Sequence, residues 1–209
     1  MGFELTQEQL EQFRTEGCLI LPGAFDQGEV EQMRTEADFI LALTINSSIF
    51  NARKSRRLDI RRVSSGYQVV RKIQPVNDLS LYLAEVSADE RLVNPLRQLM
   101  GDTPVLMEEK LNYKEPLPVP VDIESPVADD QFPVHNDWAY YAAQNYPQTI
   151  ISSAISMDAC TADSGPLRVW TGSHRAHLEH EKMALGLQVK GGLIDFDGGQ
   201  DVLCPAGSV

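Results

Sequence analysis

The sequence predicts an α+β fold, with N-terminal helices packed on a β-sandwich or barrel. Two observations carry this. Apolar residues recur at helical spacing through residues 1–101, and short β-like runs separated by turn signals fill 102–209. The length agrees, because 209 residues suffice for one well-cored domain and fall short of two large ones.

The elements follow in order. "LTQEQLEQFRTEG" reads as a helix capped by Thr6, with Leu10 and Phe13 on one face and Gly17 as its stop. "CLILPG" reads as a short buried strand broken at Pro22-Gly23. In "DQGEVEQMRTEADFILAL", Asp26 caps a second helix with Glu29 at its third position, and Val30, Met33, Ala37 and Ile40 share a face. "DERLVNPLRQLMG" is a third helix ending at Gly101. Strands are expected in "PVLMEEKLNYK", "TIISSAISMDA", "PLRVW", "LQVKGGLIDF" and "DVLCPAGSV". The proline- and acid-rich stretch over 115–131 reads as a long loop at the barrel mouth.

Composition narrows the function. A net charge of -12 argues against general affinity for nucleic acid or anionic membrane. No apolar run approaches the roughly 18 residues of a membrane span, and no secretory pattern opens the chain. Gly2 and Thr6 match a loose myristoylation pattern, but Thr6 with Gln9 fits a helix capping box better. Cys18, Cys160 and Cys204 form no CxxC pair, as expected of reduced thiols in a cytoplasmic protein. Six of the ten residues from Arg53 to Arg62 are basic. They make either a solvated loop or sheet edge, or a lip that attracts a small anion.

"FPVHNDWAYY" holds the residues with the most chemistry. In a strand, His135 and Asp137 would project to the same side. A histidine and a carboxylate are two arms of the 2-His-1-carboxylate set that binds Fe(II) and leaves positions open for substrate and oxygen. Alone, such a pair is more often a hydrogen bond than a metal site. His174, His177 and His180 recur every three residues in "SHRAHLEH", which reads as a solvated helix rather than an independent zinc site.

The run from "DERLVNPLRQLMG" through "LNYKEP", "HNDW" and "SAISMDACTADSGPLRVWTGSHR" resembles the phytanoyl-CoA dioxygenase (PhyH) family of Fe(II)- and 2-oxoglutarate-dependent oxygenases, closest in motif to its ectoine-hydroxylase-type members. The opening "LTQEQLEQFRTEGCLILPGAF" is similar as well. The resemblance implies a single domain over 1–209, with a double-stranded β-helix (jelly roll, cupin-like) and packed N-terminal helices. It implies Fe(II) held by His135 and Asp137, and 2-oxoglutarate as cosubstrate contacted by Lys110, Asn112 and Phe132. It also implies a small-molecule substrate pocket lined by Trp138 and Tyr141, with dioxygen as co-reactant. The implied reaction hydroxylates an unactivated C–H while 2-oxoglutarate is decarboxylated to succinate and CO2. Halogenating relatives replace the carboxylate at position 137 with a small residue, so Asp137 implies hydroxylation. Two departures occur: Thr171 stands where proline is usual, and Trp170 where an aliphatic residue is usual.

In the family, the second iron-binding histidine and an arginine for 2-oxoglutarate lie beyond a segment resembling "DVLCPAGSV". The expectation is therefore a β-helix whose last strands are missing from this chain. The alternatives are a non-catalytic or degenerate metal- or ligand-binding member of the same fold, and a cupin-like metal enzyme independent of 2-oxoglutarate.

Overall fold

The structure, a computed structural model, describes residues 3–62, 68–114, 133–183 and 186–209. Gly2, Phe132 and the loop expected over 115–131 lie outside the described residues. In chain order the elements are α1 (Gln7–Glu16), α2 (Gln27–Thr44), a π-helical turn (Ile45–Phe50), β1 (Leu58–Arg62), β2 (Gln68–Ile73), α3 (Leu81–Ser87), α4 (Glu90–Met100), β3 (Leu111–Asn112), α5 (Trp138–Tyr141), β4 (Arg168–Val169), β5 (His180–Met183), β6 (Gly186–Val189) and β7 (Gln200–Asp201). They divide into two units. One comprises Met1–Phe25, Glu90–Pro104 and Gln131–Val209, the other Asp26–Asp89 and Val105–Asp130. Helix α4 belongs to the same unit as α1, and α2 to the other.

In the first unit, α1 starts where Thr6 accepts from the Gln9 N–H and Gln9 Oε1 accepts from the Thr6 N–H, at 3.2 and 2.9 Å. It stops at Gly17, whose φ of 80° suits a residue without Cβ. Leu10 of α1 buries with Leu5 and Leu21 against Phe3, Leu19, Leu99 and Val209. Each fully buried leucine contributes about 1.5–3 kcal/mol. Helix α4 ends as expected at Gly101, φ 67°. From α4, Arg91 donates to the Ala24 carbonyl at 3.1 Å and lies 4.2 Å above the Phe25 ring.

Two expected strands of this unit are not strands, and a third, "DVLCPAGSV", is strand only at Asp201. In "CLILPG", Leu21 exchanges two backbone hydrogen bonds with Val209 (2.8 and 3.2 Å), but Pro22 has no N–H to prolong the ladder. "TIISSAISMDA" and the Cys160 that follows it meet the C-terminal segment at two isolated bridges, Ser156–Ser208 and Cys160–Cys204, with Pro205 between the bridged residues. Strands β4 and β7 pair antiparallel, as do β5 and β6. Among the described residues these pairs do not close into a barrel.

In the second unit, Asp26 and Glu29 form the expected capping box on α2. Its Val30, Met33, Ala37 and Ile40 are all buried. Tyr82 of α3 donates to the Glu29 carbonyl at 3.3 Å, and Tyr113, just after β3, to the Ala37 carbonyl at 2.8 Å. The sheet order is β1-β2-β3, all antiparallel, with a bulge at Asp59/Ile60. The basic cluster thus ends in β1, an outer strand of this sheet. Of "PVLMEEKLNYK" only Leu111–Asn112 is strand, paired with Ile73 and Lys72.

Candidate functional site

His135 and Asp137 meet, but not by the strand geometry their spacing suggested. Residues 133–136 form no strand, and Asp137 has helical backbone angles (φ −63°, ψ −36°) at the start of α5. The cause is Asn136. Its Oδ1 accepts from the Ala139 N–H at 3.0 Å, capping the turn into "WAYY". The turn still brings His135 Nε2 to 3.7 Å from Asp137 Oδ1.

Each arm is fixed from behind. His135 Nδ1 donates to the Pro133 carbonyl at 2.6 Å, which leaves the Nε2 lone pair facing Asp137. The Ser152 hydroxyl donates to Asp137 Oδ2, so Oδ1 is the oxygen turned toward the imidazole. A backbone-anchored imidazole and a hydrogen-bonded carboxylate, with their remaining donor atoms converging, are a donor set suited to a first-row divalent cation. Among the described residues no group of three or more histidine, cysteine or carboxylate side chains is placed to hold one ion, so the site has two arms here.

The aromatic residues expected around the pair divide their roles. Trp138 Nε1 donates to the Tyr146 carbonyl at 3.0 Å, and its ring meets His177 edge-on, centroids 4.6 Å apart. Tyr141 packs edge-on to Tyr146 at 5.7 Å. The ring against His135 is Tyr140, at 5.2 Å and 86°, and its hydroxyl accepts from the Leu187 N–H at 2.9 Å. Lys110 and Asn112 belong to the other unit. Leu111 between them is buried while both of them are exposed, which is the expected alternation. Lys110 Nζ pairs with Glu108 Oε1 at 2.9 Å.

The later histidines do not lie on a helix. Ser173–Arg175 is a single 3-10 turn, and His180 opens β5. His174 Nε2 and Arg175 donate to the Arg14 and Thr15 carbonyls at the C-terminal end of α1 (3.1 and 3.0 Å), where cationic and donor groups are favoured. His177 stacks on His180, centroids 5.3 Å apart and 13° from parallel. His180 Nδ1 donates to the Leu178 carbonyl at 2.7 Å, and its Nε2 accepts from the Asn136 N–H at 3.3 Å. Burial lowers the His180 pKa from its ordinary value, the Leu178 carbonyl opposes this, and His177 and His135 lower it further. Two of the three histidines read as bystanders therefore support the "HND" turn. Nothing local signals this, because it depends on β5 folding back on β6.

An open cleft of about 550 Å³ lies elsewhere in the first unit, lined by Trp170, Thr171, Leu178, Ile194 and Asp195. Trp170, one of the two departures from the family pattern, donates from Nε1 to the Asp195 carbonyl at 2.7 Å.

Comparison with known proteins gives a consistent assignment. The sequence profile described as phytanoyl-CoA dioxygenase (PhyH) matches residues 13–191. The ectoine dioxygenase of Halomonas elongata is 24% identical over 176 residues, 83% of this chain and 47% of the relative. That of Sphingopyxis alaskensis is 25% identical over 178 residues, 83% of this chain and 51% of the relative. The chain thus spans about half the length of these relatives. A crystal structure of EctD from S. alaskensis with bound Fe aligns with a TM-score of 0.44 at 24% identity, covering 53% of this chain and 36% of that one.

Proposed function

This chain belongs to the phytanoyl-CoA dioxygenase family, and from that premise we propose that it carries part of the active site of an Fe(II)- and 2-oxoglutarate-dependent dioxygenase hydroxylating an unactivated C–H of a small molecule. In this reading its short sheets are portions of a double-stranded β-helix. The observation that carries the proposal is the convergence of His135 Nε2 and Asp137 Oδ1, each fixed by a hydrogen bond on its far atom.

His135 and Asp137 would hold the iron. The chemistry Fe(II) supplies when bound is oxidative decarboxylation of 2-oxoglutarate to succinate and CO2, coupled to oxygen insertion into C–H. The Pro133 carbonyl keeps the His135 proton on Nδ1, so Nε2 stays a donor to metal. Ser152 holds Asp137 from rotating away. Lys110 and Asn112 supply an ammonium and an amide of the kind that binds a dicarboxylate. The family pattern assigns Phe132 to the cosubstrate, and Trp138 and Tyr141 to the substrate. The relatives are named for ectoine, a name that supports a compact small-molecule substrate here without choosing it.

The test is calorimetric titration of Fe(II) under anaerobic conditions into the wild type, His135→Ala and Asp137→Ala. The expected result is a single site whose affinity falls at least about tenfold in either variant. Equal affinity in all three proteins would overturn the assignment. Succinate formation that depends on added 2-oxoglutarate separates this reading from a metal enzyme that uses no cosubstrate.

A further inference from the structure

Cys160 and Cys204 stand opposite each other across an antiparallel bridge and exchange both backbone hydrogen bonds, at 2.8 and 3.2 Å. A hydrogen-bonded antiparallel pair sets its Cα atoms about 5.5 Å apart, inside the roughly 4.4–6.8 Å that a disulfide spans. Directly opposed residues also project to the same side of the ladder. The Ser156 hydroxyl confirms this for the sulfurs, lying 3.5 Å from Cys160 Sγ and 3.4 Å from Cys204 Sγ. Cys204 is buried, whereas Cys160 is only partly buried and so the more accessible of the two.

We propose that Cys160 and Cys204 are a reversible thiol–disulfide pair, closed by hydrogen peroxide and fastening the Ser156–Cys160 stretch to the C-terminal segment. Cys160 sulfur attacks the peroxide: an S–O bond forms, the O–O bond breaks, and the departing hydroxide leaves as water with the thiol proton. Cys204 sulfur then attacks Cys160 sulfur: the S–S bond forms, the S–O bond breaks, and the second oxygen leaves as water. The two thiols lose two electrons and the peroxide is reduced to two waters. Opposed Cβ atoms in a hydrogen-bonded pair stand at the wide end of about 4.5–5.5 Å, against about 3.5–4.5 Å in a disulfide, so closure draws the strands together by about 1–2 Å. A bond closed against that resistance is readily reduced, which makes the pair a switch rather than a permanent staple. Cys18 is not part of it. Burial and the neighbouring Glu16 raise its pKa, leaving it less thiolate.

The experiment treats the native protein with hydrogen peroxide, blocks remaining thiols with N-ethylmaleimide, and reads intact and peptide masses. The expected product has lost about 2 Da, for two hydrogens. It takes up one maleimide where the reduced protein with its three free cysteines takes up three, contains a Cys160–Cys204 linked peptide, and returns to three on reduction with dithiothreitol. Cys18→Ser forms the same link, and Cys160→Ser or Cys204→Ser abolishes it. A link involving Cys18 would overturn the proposal, as would a gain of about 32 Da without any link, the mark of sulfinic acid. So would a Cys160–Cys204 link forming as fast in guanidinium as in the folded protein, because the pairing would then owe nothing to the fold.

Discussion

Ser152 donates to Asp137 Oδ2 across fifteen residues of chain, and in doing so turns Oδ1 toward the His135 imidazole. Hydrogen-bonding partners of this kind are expected to matter nearly as much as the ligands themselves. Ser152→Ala should weaken Fe(II) binding by about tenfold, whereas Ser152→Thr, which keeps the hydroxyl, should retain most of it. The titration proposed for the ligand variants checks this. Thermal unfolding of the alanine variant should change little, since Ser152 is exposed.

Tyr140 ties the start of β6 to the His135 ring, and Gly186 makes room for it. A Cβ on Gly186 would stand 2.6 Å from the Tyr140 hydroxyl oxygen, and the residue has a φ of 135° that side chains rarely adopt. Gly186→Ala should therefore cost about 1–3 kcal/mol. Tyr140→Phe should cost about 1 kcal/mol for the hydrogen bond to Leu187. The costs should not add, because removing the hydroxyl relieves the clash and leaves the backbone strain. Denaturant unfolding of the two single variants and the double variant gives the coupling; strict additivity would show that the contact is absent.

What the sequence revealed and concealed follows from how local each signal is. Thr6 with Gln9, Asp26 with Glu29, and the stops at Gly17 and Gly101 act within one helical turn, so both ends of α1, the start of α2 and the end of α4 were legible. The cap on α5 was equally local, in Asn136 and Ala139, but the alternation of His135 and Asp137 masked it. The place of His177 and His180 could not be read, because it rests on β5 pairing with β6 and on contacts with Trp138 and Asn136 some forty residues earlier. Family membership was legible through motifs spread along the chain, while the pairing of Cys160 with Cys204 depends on long-range register.

Arg57 grips Asp78 with two parallel bonds of 2.8 Å. The hydrogen bond from Arg57 holds the Asp78 carboxyl below its usual pKa, with the guanidinium charge adding to it. A carboxyl lowered in the folded state contributes stability that is present above its unfolded pKa, about 3.9, and is lost as pH falls through the lower folded value. The gap in thermal midpoint between wild type and Asp78→Asn should therefore be constant near neutrality and close below about pH 4. Other carboxylates titrate identically in both proteins and cancel. A gap that persists to the lowest pH at which both remain folded would show that the pair contributes no pH-dependent stability.

Lys110 offers the sharpest test of the cosubstrate assignment, because its ammonium already has a partner in Glu108 at 2.9 Å. If that ion pair is its whole role, both groups are partly exposed and their loss costs about 0.2–1 kcal/mol of stability, with 2-oxoglutarate binding untouched. If Lys110 binds the dicarboxylate, Lys110→Ala removes a charge-assisted hydrogen bond of about 1.5–3 kcal/mol and weakens 2-oxoglutarate by about 10–100-fold. Glu108→Gln distinguishes the two further. It frees the ammonium from its competitor, so 2-oxoglutarate should bind more tightly than to wild type, and the gain should vanish when Lys110→Ala is added. We expect the dicarboxylate outcome, measured as the 2-oxoglutarate dissociation constant of the Fe(II)-loaded protein. Unchanged affinity in both single variants would return Lys110 to an ordinary surface ion pair.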